Sequence, residues 1–198
     1  MLHDNVFSKE YWEKEAVHNG FFAILSQEQY RNPETFWKSG VGFTPELSKI
    51  ITKDDSFLDI GCGYGRMCGH VASLVQSYNG VDFSKEMIAK AKEFHKSVPN
   101  ANFFNNNGKD LSIFSDESFS IVYSCLLFQH LPKETIFEYL RETSRVLTDN
   151  GNMMIYHIPV STMFTNGLTK EELNLACVNF KNLEVVETPH YYDIKGNK

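Results

Sequence analysis

The stretch Phe57-Leu58-Asp59-Ile60-Gly61-Cys62-Gly63-Tyr64-Gly65-Arg66 constrains what this chain can fold into more than any other. A short apolar run ends in three glycines spaced two apart. Helical spacing follows, with Met67, Val71, Leu74 and Val75 on one face. Glycine reaches left-handed backbone without a Cβ clash, so the pattern predicts a strand, a tight turn and a helix over residues 66–75. The bare backbone of such a turn admits a ligand closely, and a helix start adds free N–H groups and a positive dipole end. In open α/β sheets ligands bind at the carboxyl ends of the strands, where this turn would lie.

The chain after the turn alternates. The first strand is Ser56–Ile60, and a second closes on Gly80-Val81-Asp82. Ser84 is placed to cap a helix whose apolar side is Met87, Ile88, Ala91 and Phe94, and Val98-Pro99-Asn100 stops it. Strands follow at 102–105 and 119–124, and Pro132 starts a helix to about residue 147. Asp149-Asn150-Gly151 then turns into a fifth strand at 153–158. Thr169 with Glu172 forms a capping box, and residues 183–187 form a sixth strand. Strands separated by helices imply a mostly parallel sheet covered on both faces, and right-handed crossovers make it a doubly wound, Rossmann-like α/β three-layer sandwich.

With 198 residues, 42% of them hydrophobic, the chain holds one domain and a small addition. That addition is residues 1–45, which read as short helical pieces starting at Asn32-Pro33 and Thr44-Pro45. Tyr11, Trp12, Phe21, Phe22, Tyr30, Phe36, Trp37 and Phe43 crowd into it, so it is expected to be a helical lid packed on a core of residues 46–198. No apolar run approaches the roughly 18 residues of a membrane span. The opening MLHDNVFSKE lacks the basic start and apolar middle of a signal peptide, so a cytoplasmic protein without membrane partners is expected. Acids outnumber bases 25 to 19, which argues against nucleic acid as a partner. Cys62, Cys68, Cys125 and Cys177 form no CxxC pair and the histidines no HxxxH pair, so neither a metal centre nor a disulfide framework is expected.

The glycines do not follow the dinucleotide pattern, because Arg66 stands where its third glycine belongs. Asp59 puts a carboxylate at the lip of the turn, unsuited to a pyrophosphate and suited to a cation. Asp82 ends the second strand about 20 residues after the first glycine, the position of an acid that accepts from ribose hydroxyls. These features describe a nucleoside with a ribose diol and a positive end. The segments DIGCGYG and GVDFS, with the chain between residues 57 and 156, resemble the class I S-adenosylmethionine-dependent methyltransferase family. The resemblance implies S-adenosyl-L-methionine as cofactor and S-adenosyl-L-homocysteine as product. It implies that Asp59, Gly61, Cys62 and Gly63 line the methionine end, that Asp82 binds the ribose, and that Phe83 and Met87 cover the adenine. Asn107 and Gly108 match the segment after the third strand, with Asn107 where the family usually has the Asp that reads the adenine amino group. Ser120 replaces an Asp usual in the fourth strand, and Ser124 matches the residues that follow that strand near the cofactor. In the family the segment before the glycine turn often folds over the cofactor, which places Trp37 nearest it and makes residues 11–43 a mobile lid.

Methyl transfer is an in-line displacement in which alignment does most of the work, and a hydroxyl or protonated amine acceptor also needs a base. His130, after the fourth strand, and His157, ending the fifth, are the candidate bases, with His18 a third. Family members acting on adenine or glutamine amides carry two prolines and an aromatic after the fourth strand. Here the chain reads Ser124-Cys125-Leu126-Leu127-Phe128, which leaves a small metabolite, sugar or lipid, methylated on O or N. Two other classes remain open: a non-catalytic S-adenosylmethionine-binding or regulatory module, and a less favoured NAD(P)-dependent oxidoreductase, which Arg66 and Asp59 argue against. The family sheet usually ends with a strand inserted beside the fifth. Here Tyr191-Tyr192-Asp193-Ile194 extends the sixth strand and Gly196-Asn197 reads as a turn with no return, so the seventh strand is expected to be absent or rudimentary. The open edge this leaves would suit a monomer covered by its tail, or a homodimer.

Overall fold

The computed structural model describes residues 8–162 and 167–198, the Phe43 side chain excepted. Residues 1–7 of the expected lid, and that phenyl ring, lie outside the described residues. The chain divides into two compact units, Met1–Asn105 and Asn106–Lys198.

The first unit begins with four short helices, α1 (Lys9–His18), α2 (Phe21–Ile24), α3 (Pro33–Lys38) and α4 (Thr44–Leu47). Local chemistry sets the ends of two. Ser8 accepts from the Tyr11 N–H at the start of α1, and Asn32 accepts from Thr35 N–H ahead of Pro33 at the start of α3. Three parallel strands follow, β1 (Ser56–Ile60), β2 (Ser77–Asp82) and β3 (Ala101–Asn105), in the order β3-β2-β1. Their register sets Ile60 beside Val81 and Asp82 beside Asn105, so β1 and β2 end together. α6 (Lys85–Phe94) starts at Ser84, whose hydroxyl accepts from the Met87 N–H, and it buries Met87, Ile88 and Ala91 as its spacing predicts.

The helix expected over residues 66–75 is much shorter. Only α5 (Cys68–Val71) is α-helical, and a 3-10 turn, Ala72–Leu74, completes it. Gly65 at φ +77° keeps the preceding residues in turns, and Cys68 N–H bonds back to the Gly65 carbonyl. Gly69 and β-branched Val71 then favour the helix poorly.

The second unit holds β4 (Phe119–Cys125), α7 (Lys133–Val146), β5 (Leu147–Pro159), α8 (Lys170–Ala176), β6 (Lys181–Glu187) and β7 (Tyr191–Asn197). β4 and β5 are parallel, while β7 lies between β5 and β6 and is antiparallel to both. The seventh strand is therefore present and full length, which overturns the expectation of a missing or rudimentary one and of an open edge beside β5. Gly196 and Asn197 are not a turn: they pair with Met153 and Asn152 of β5. Two features make room for them. β5 starts at Leu147, well before the expected 153, with Asn150 absorbing a left-handed φ of +62°. A Cβ at Gly196 would sit 3.2 Å from the Lys181 carbonyl oxygen, so glycine lets β7 lie close to β6. Seven strands, mostly parallel within an α/β chain, bear out the expected fold class. No helix among the described residues is long and apolar enough to cross a membrane.

Candidate active site

In the first unit the glycine turn leaves β1 with Gly61, Gly63 and Gly65 all at positive φ (+73°, +53° and +77°). The N–H groups of Gly61 and Cys62 bond to the Val81 carbonyl, tying the turn to the end of β2. Asp82 then accepts from the Gly63 N–H at 3.0 Å and, on its other oxygen, from the Ser84 N–H at 2.9 Å. Its carboxyl is pushed up to about 6, first by burial and further by Glu13, against the pull of the Ser84, Gly63 and Phe83 N–H bonds.

Asp59 lies deeper and is 4% exposed. The Tyr78 hydroxyl donates to it at 2.5 Å. Burial pushes Asp59 up to about 7, the Tyr78 bond and the Arg66 guanidinium pull it down, and Asp82 adds to the rise. The Cys62 thiol is raised well above its usual range by burial and then by both carboxylates, so it is held as a thiol.

The N-terminal helices cover this turn. Ala16, Tyr64 and Met87 form a buried apolar cluster, with Trp12, Phe21, Ala23, Ile24 and Trp37 packed against it. A Cβ at Gly63 would meet Ile24 Cδ1 at 3.0 Å. The Tyr64 hydroxyl donates to the Ala16 carbonyl, and His70 Nε2 lies 2.7 Å from the Trp37 carbonyl. The turn thus brings together Asp59, Gly61, Cys62, Gly63 and Asp82, and the cluster joins Met87 and Trp37 through Tyr64. Phe83 is half-buried between Asp82 and Ser84. Packing beneath the turn is tight. A Cβ at Gly80 would meet both Cys62 Sγ and Phe103 Cδ1 at 2.8 Å. Gly80→Ala should destabilise the fold by about 1–3 kcal/mol; wild-type stability in a denaturant titration would show that the floor of the turn yields freely.

In the second unit Asn107 is exposed, and its amide serves its own loop. Its oxygen accepts from the Lys109 and Asp110 N–H groups and its nitrogen donates to Asp110 Oδ2. Gly108 follows at φ +74°. Ser124 is buried in β4. His130 ends a 3-10 turn, Phe128–His130, with Nε2 3.1 Å from Gln129 Nε2. Burial lowers its pKa to about 4, so it is neutral near pH 7 but a weak base.

His157 sits where β5 shifts register, at φ +66°. Its backbone N–H donates to Asp193 Oδ1 at 2.8 Å, its ring packs edge-on against Tyr191, and its Nδ1 lies 3.9 Å from Cys125 Sγ. Leu126, just after β4, is also left-handed at φ +68°. Strain of this kind in non-glycine residues concentrates at functional sites. Sequence reading missed Tyr78, Glu13, Ile24 and Asp193. Only Tyr78 left a signal, as a large residue two before Gly80 in a strand that runs beside Asp59.

A left-handed glycine turn on parallel strands, with a carboxylate at the end of the next strand, defines a nucleoside-binding α/β protein of the Rossmann kind. Residues 57–151 match the family model described as a methyltransferase domain. An uncharacterized methyltransferase of Schizosaccharomyces pombe is 26% identical over 172 residues, covering 73% of this chain and 64% of that protein. The uncharacterized methyltransferase YcgJ of Bacillus subtilis is 32% identical over 120 residues, covering 57% of this chain and 46% of that protein. The chain thus spans less than two thirds of the length of each of these relatives. The solved structure of PH0226 from Pyrococcus horikoshii superposes with a TM-score of 0.68 at 22% identity, over 93% of this chain and 98% of that one, and shows the same fold. Over residues 57–151 the chain is thus similar to methyltransferase domains, on a fold shared with a solved α/β structure.

The residues present fit the family's cofactor. Each Asp82 oxygen receives a backbone N–H and retains acceptor capacity for a hydroxyl. Around it, three positive-φ glycines keep side chains off the turn.

Proposed function

We propose that this protein transfers a methyl group from S-adenosylmethionine to oxygen or nitrogen of a small-molecule acceptor, in the cytoplasm, as a monomer or homodimer. The observation that carries the reading is the Asp82 carboxylate fixed against the Gly63 N–H at the mouth of the glycine turn. When bound, the cofactor supplies an electrophilic methyl on a sulfonium. Asp82 would hold the ribose, Phe83 and Met87 would border the adenine with Asn107 and Gly108, and Asp59, Gly61, Cys62, Gly63 and Ser124 would line the methionine end. His157 is the favoured base, because its ring is oriented by Tyr191 and Cys125 while its backbone is pinned by Asp193. His130 is the weaker candidate, since a group titrating near 4 takes a proton poorly at neutral pH. The acidic balance and the absence of the paired prolines after β4 support a small acceptor over nucleic acid or a protein amide.

Residues 1–45 serve in this reading as the lid, with Trp37 on its inner side, excluding water from the methyl. A chain starting at Thr44 should lose at least about 90% of turnover and bind S-adenosylhomocysteine more weakly. Unchanged rate and affinity would remove the lid from the mechanism. The function itself is tested by methyl transfer from labelled S-adenosylmethionine across a panel of hydroxyl and amine metabolites. Cofactor binding in calorimetry with no product from any acceptor would point to a binding module instead.

A further inference from the structure

We infer that Glu13 is a positioning residue for the cofactor: its carboxylate clasps the N-terminal helices onto the strand end that carries Asp82, and so sets how long the cofactor stays. The inference rests on the cofactor site proposed above. Glu13, on α1, accepts three hydrogen bonds from residues more than 70 positions away in sequence. They come from the Ser84 hydroxyl at 2.9 Å, the Lys85 N–H at 2.9 Å and the Glu86 N–H at 3.0 Å.

The carboxylate therefore sits on the exposed N–H groups and positive dipole end of α6, where an anion binds well. Burial raises its pKa, but the Glu86, Lys85 and Ser84 bonds outweigh burial and hold it below the ordinary carboxylate value. α6 does not need this acid to start, because Ser84 already caps it through the Met87 N–H. The helix that gains is α1, which is also held by apolar packing and by the Tyr64 hydroxyl on the Ala16 carbonyl.

The clasp reaches the site through one residue. Ser84 gives its hydroxyl to Glu13 and its N–H to Asp82. Releasing Glu13 therefore loosens Asp82 and α1 together. The same segment carries Ala16, whose carbonyl takes the Tyr64 hydroxyl, and leads on to Ile24, which lies against Gly63. In this proposal a nucleoside leaves the turn past this segment, because Ile24 lies against Gly63, and it does so against the hold of the three charge-assisted bonds.

The test uses the full chain, Glu13→Ala and Glu13→Gln, with Glu10→Ala on the exposed side of α1 as a control. S-adenosylhomocysteine is the probe, with association and dissociation rates read by stopped flow. Glu13→Ala should raise the dissociation rate about tenfold or more with the association rate unchanged or faster. Glu13→Gln should fall between, and Glu10→Ala should match wild type. Tryptic cleavage after Lys14 in the cofactor-free protein should be faster in Glu13→Ala by a similar factor. A dissociation rate and a Lys14 cleavage rate both within twofold of wild type would overturn the clasp. A loss confined to the association rate would overturn it as well. If wild type fails to bind S-adenosylhomocysteine, the cofactor reading fails, and the Lys14 cleavage rate still decides whether Glu13 holds the segment.

Discussion

Asp82→Ala should weaken binding of S-adenosylhomocysteine about 10- to 100-fold, corresponding to about 1–3 kcal/mol, in calorimetry at pH 8. Asp82 is the acid that the strand register delivers to the rim of the glycine turn, and its oxygens are aligned by the Gly63 and Ser84 N–H groups. A pair of ribose hydroxyls donating to an ionised carboxylate makes charge-assisted bonds that alanine cannot replace.

The pH profile adds a second check. In the cofactor-free fold the Asp82 carboxyl is raised from its ordinary 3.8 to about 6, chiefly by burial. Its contribution to stability is fully present below the ordinary value and is lost as pH rises through about 6. On the proposed role of Asp82 the cofactor takes the ionised form, so its affinity should rise between about pH 5 and 7 as the proton leaves. Asp59, raised to about 7, titrates in the same direction slightly higher. Asp82→Ala should therefore remove the lower part of the profile and leave the upper part. Full affinity in that variant would show that the ribose is held elsewhere.

His157→Asn should lower kcat about 100-fold or more while leaving cofactor affinity and the unfolding midpoint near wild type. Asparagine is among the few residues that accept left-handed backbone readily, so it suits φ +66° at least as well as histidine while removing the imidazole. The Asp193 bond to the backbone N–H survives the exchange. A catalytic loss therefore could not be assigned to a misfolded bulge. The measurement is single-turnover methyl transfer to whichever acceptor the metabolite panel reveals. A kcat within twofold of wild type would exclude His157 as the base. The matching change at His130 should cost less, since burial leaves that ring little basicity to contribute.

The parts that could be read from sequence are those whose cause is local. Three glycines two apart, Asn32 before Pro33, Ser84 before an apolar helical face, and Thr169 with Glu172 each decide their own backbone within a few residues, and each holds. The position of Asp82 at the end of β2 was legible because its spacing from Gly61 follows from one βαβ unit. The reading failed where distant partners decide. Gly196-Asn197 has the composition of a turn, and only the extra length of β5 and the close approach of Lys181 make it strand. The helix after the turn was too long because periodicity ignores what left-handed Gly65 and Gly69 do to helix initiation. Glu13 resembles any acid on a polar helix face until α6 supplies its donors from the far side of the unit.

The place of β7 has a consequence for how the second unit is made. Among the described residues, β6 has its strand pairing only with β7, and β7 is the later of the two in the chain. On a ribosome, β6 emerges with no strand to join and stays a single ribbon until β7 follows it. The unpaired edges of β6 and β5 are exposed for that interval. Assembly must then bridge the separation from Asn152 to Asn197, a long loop to close for one strand pair. Folding of this unit should thus wait on β7, and a chain stalled between β6 and β7 would present two sticky edges instead of a sheet.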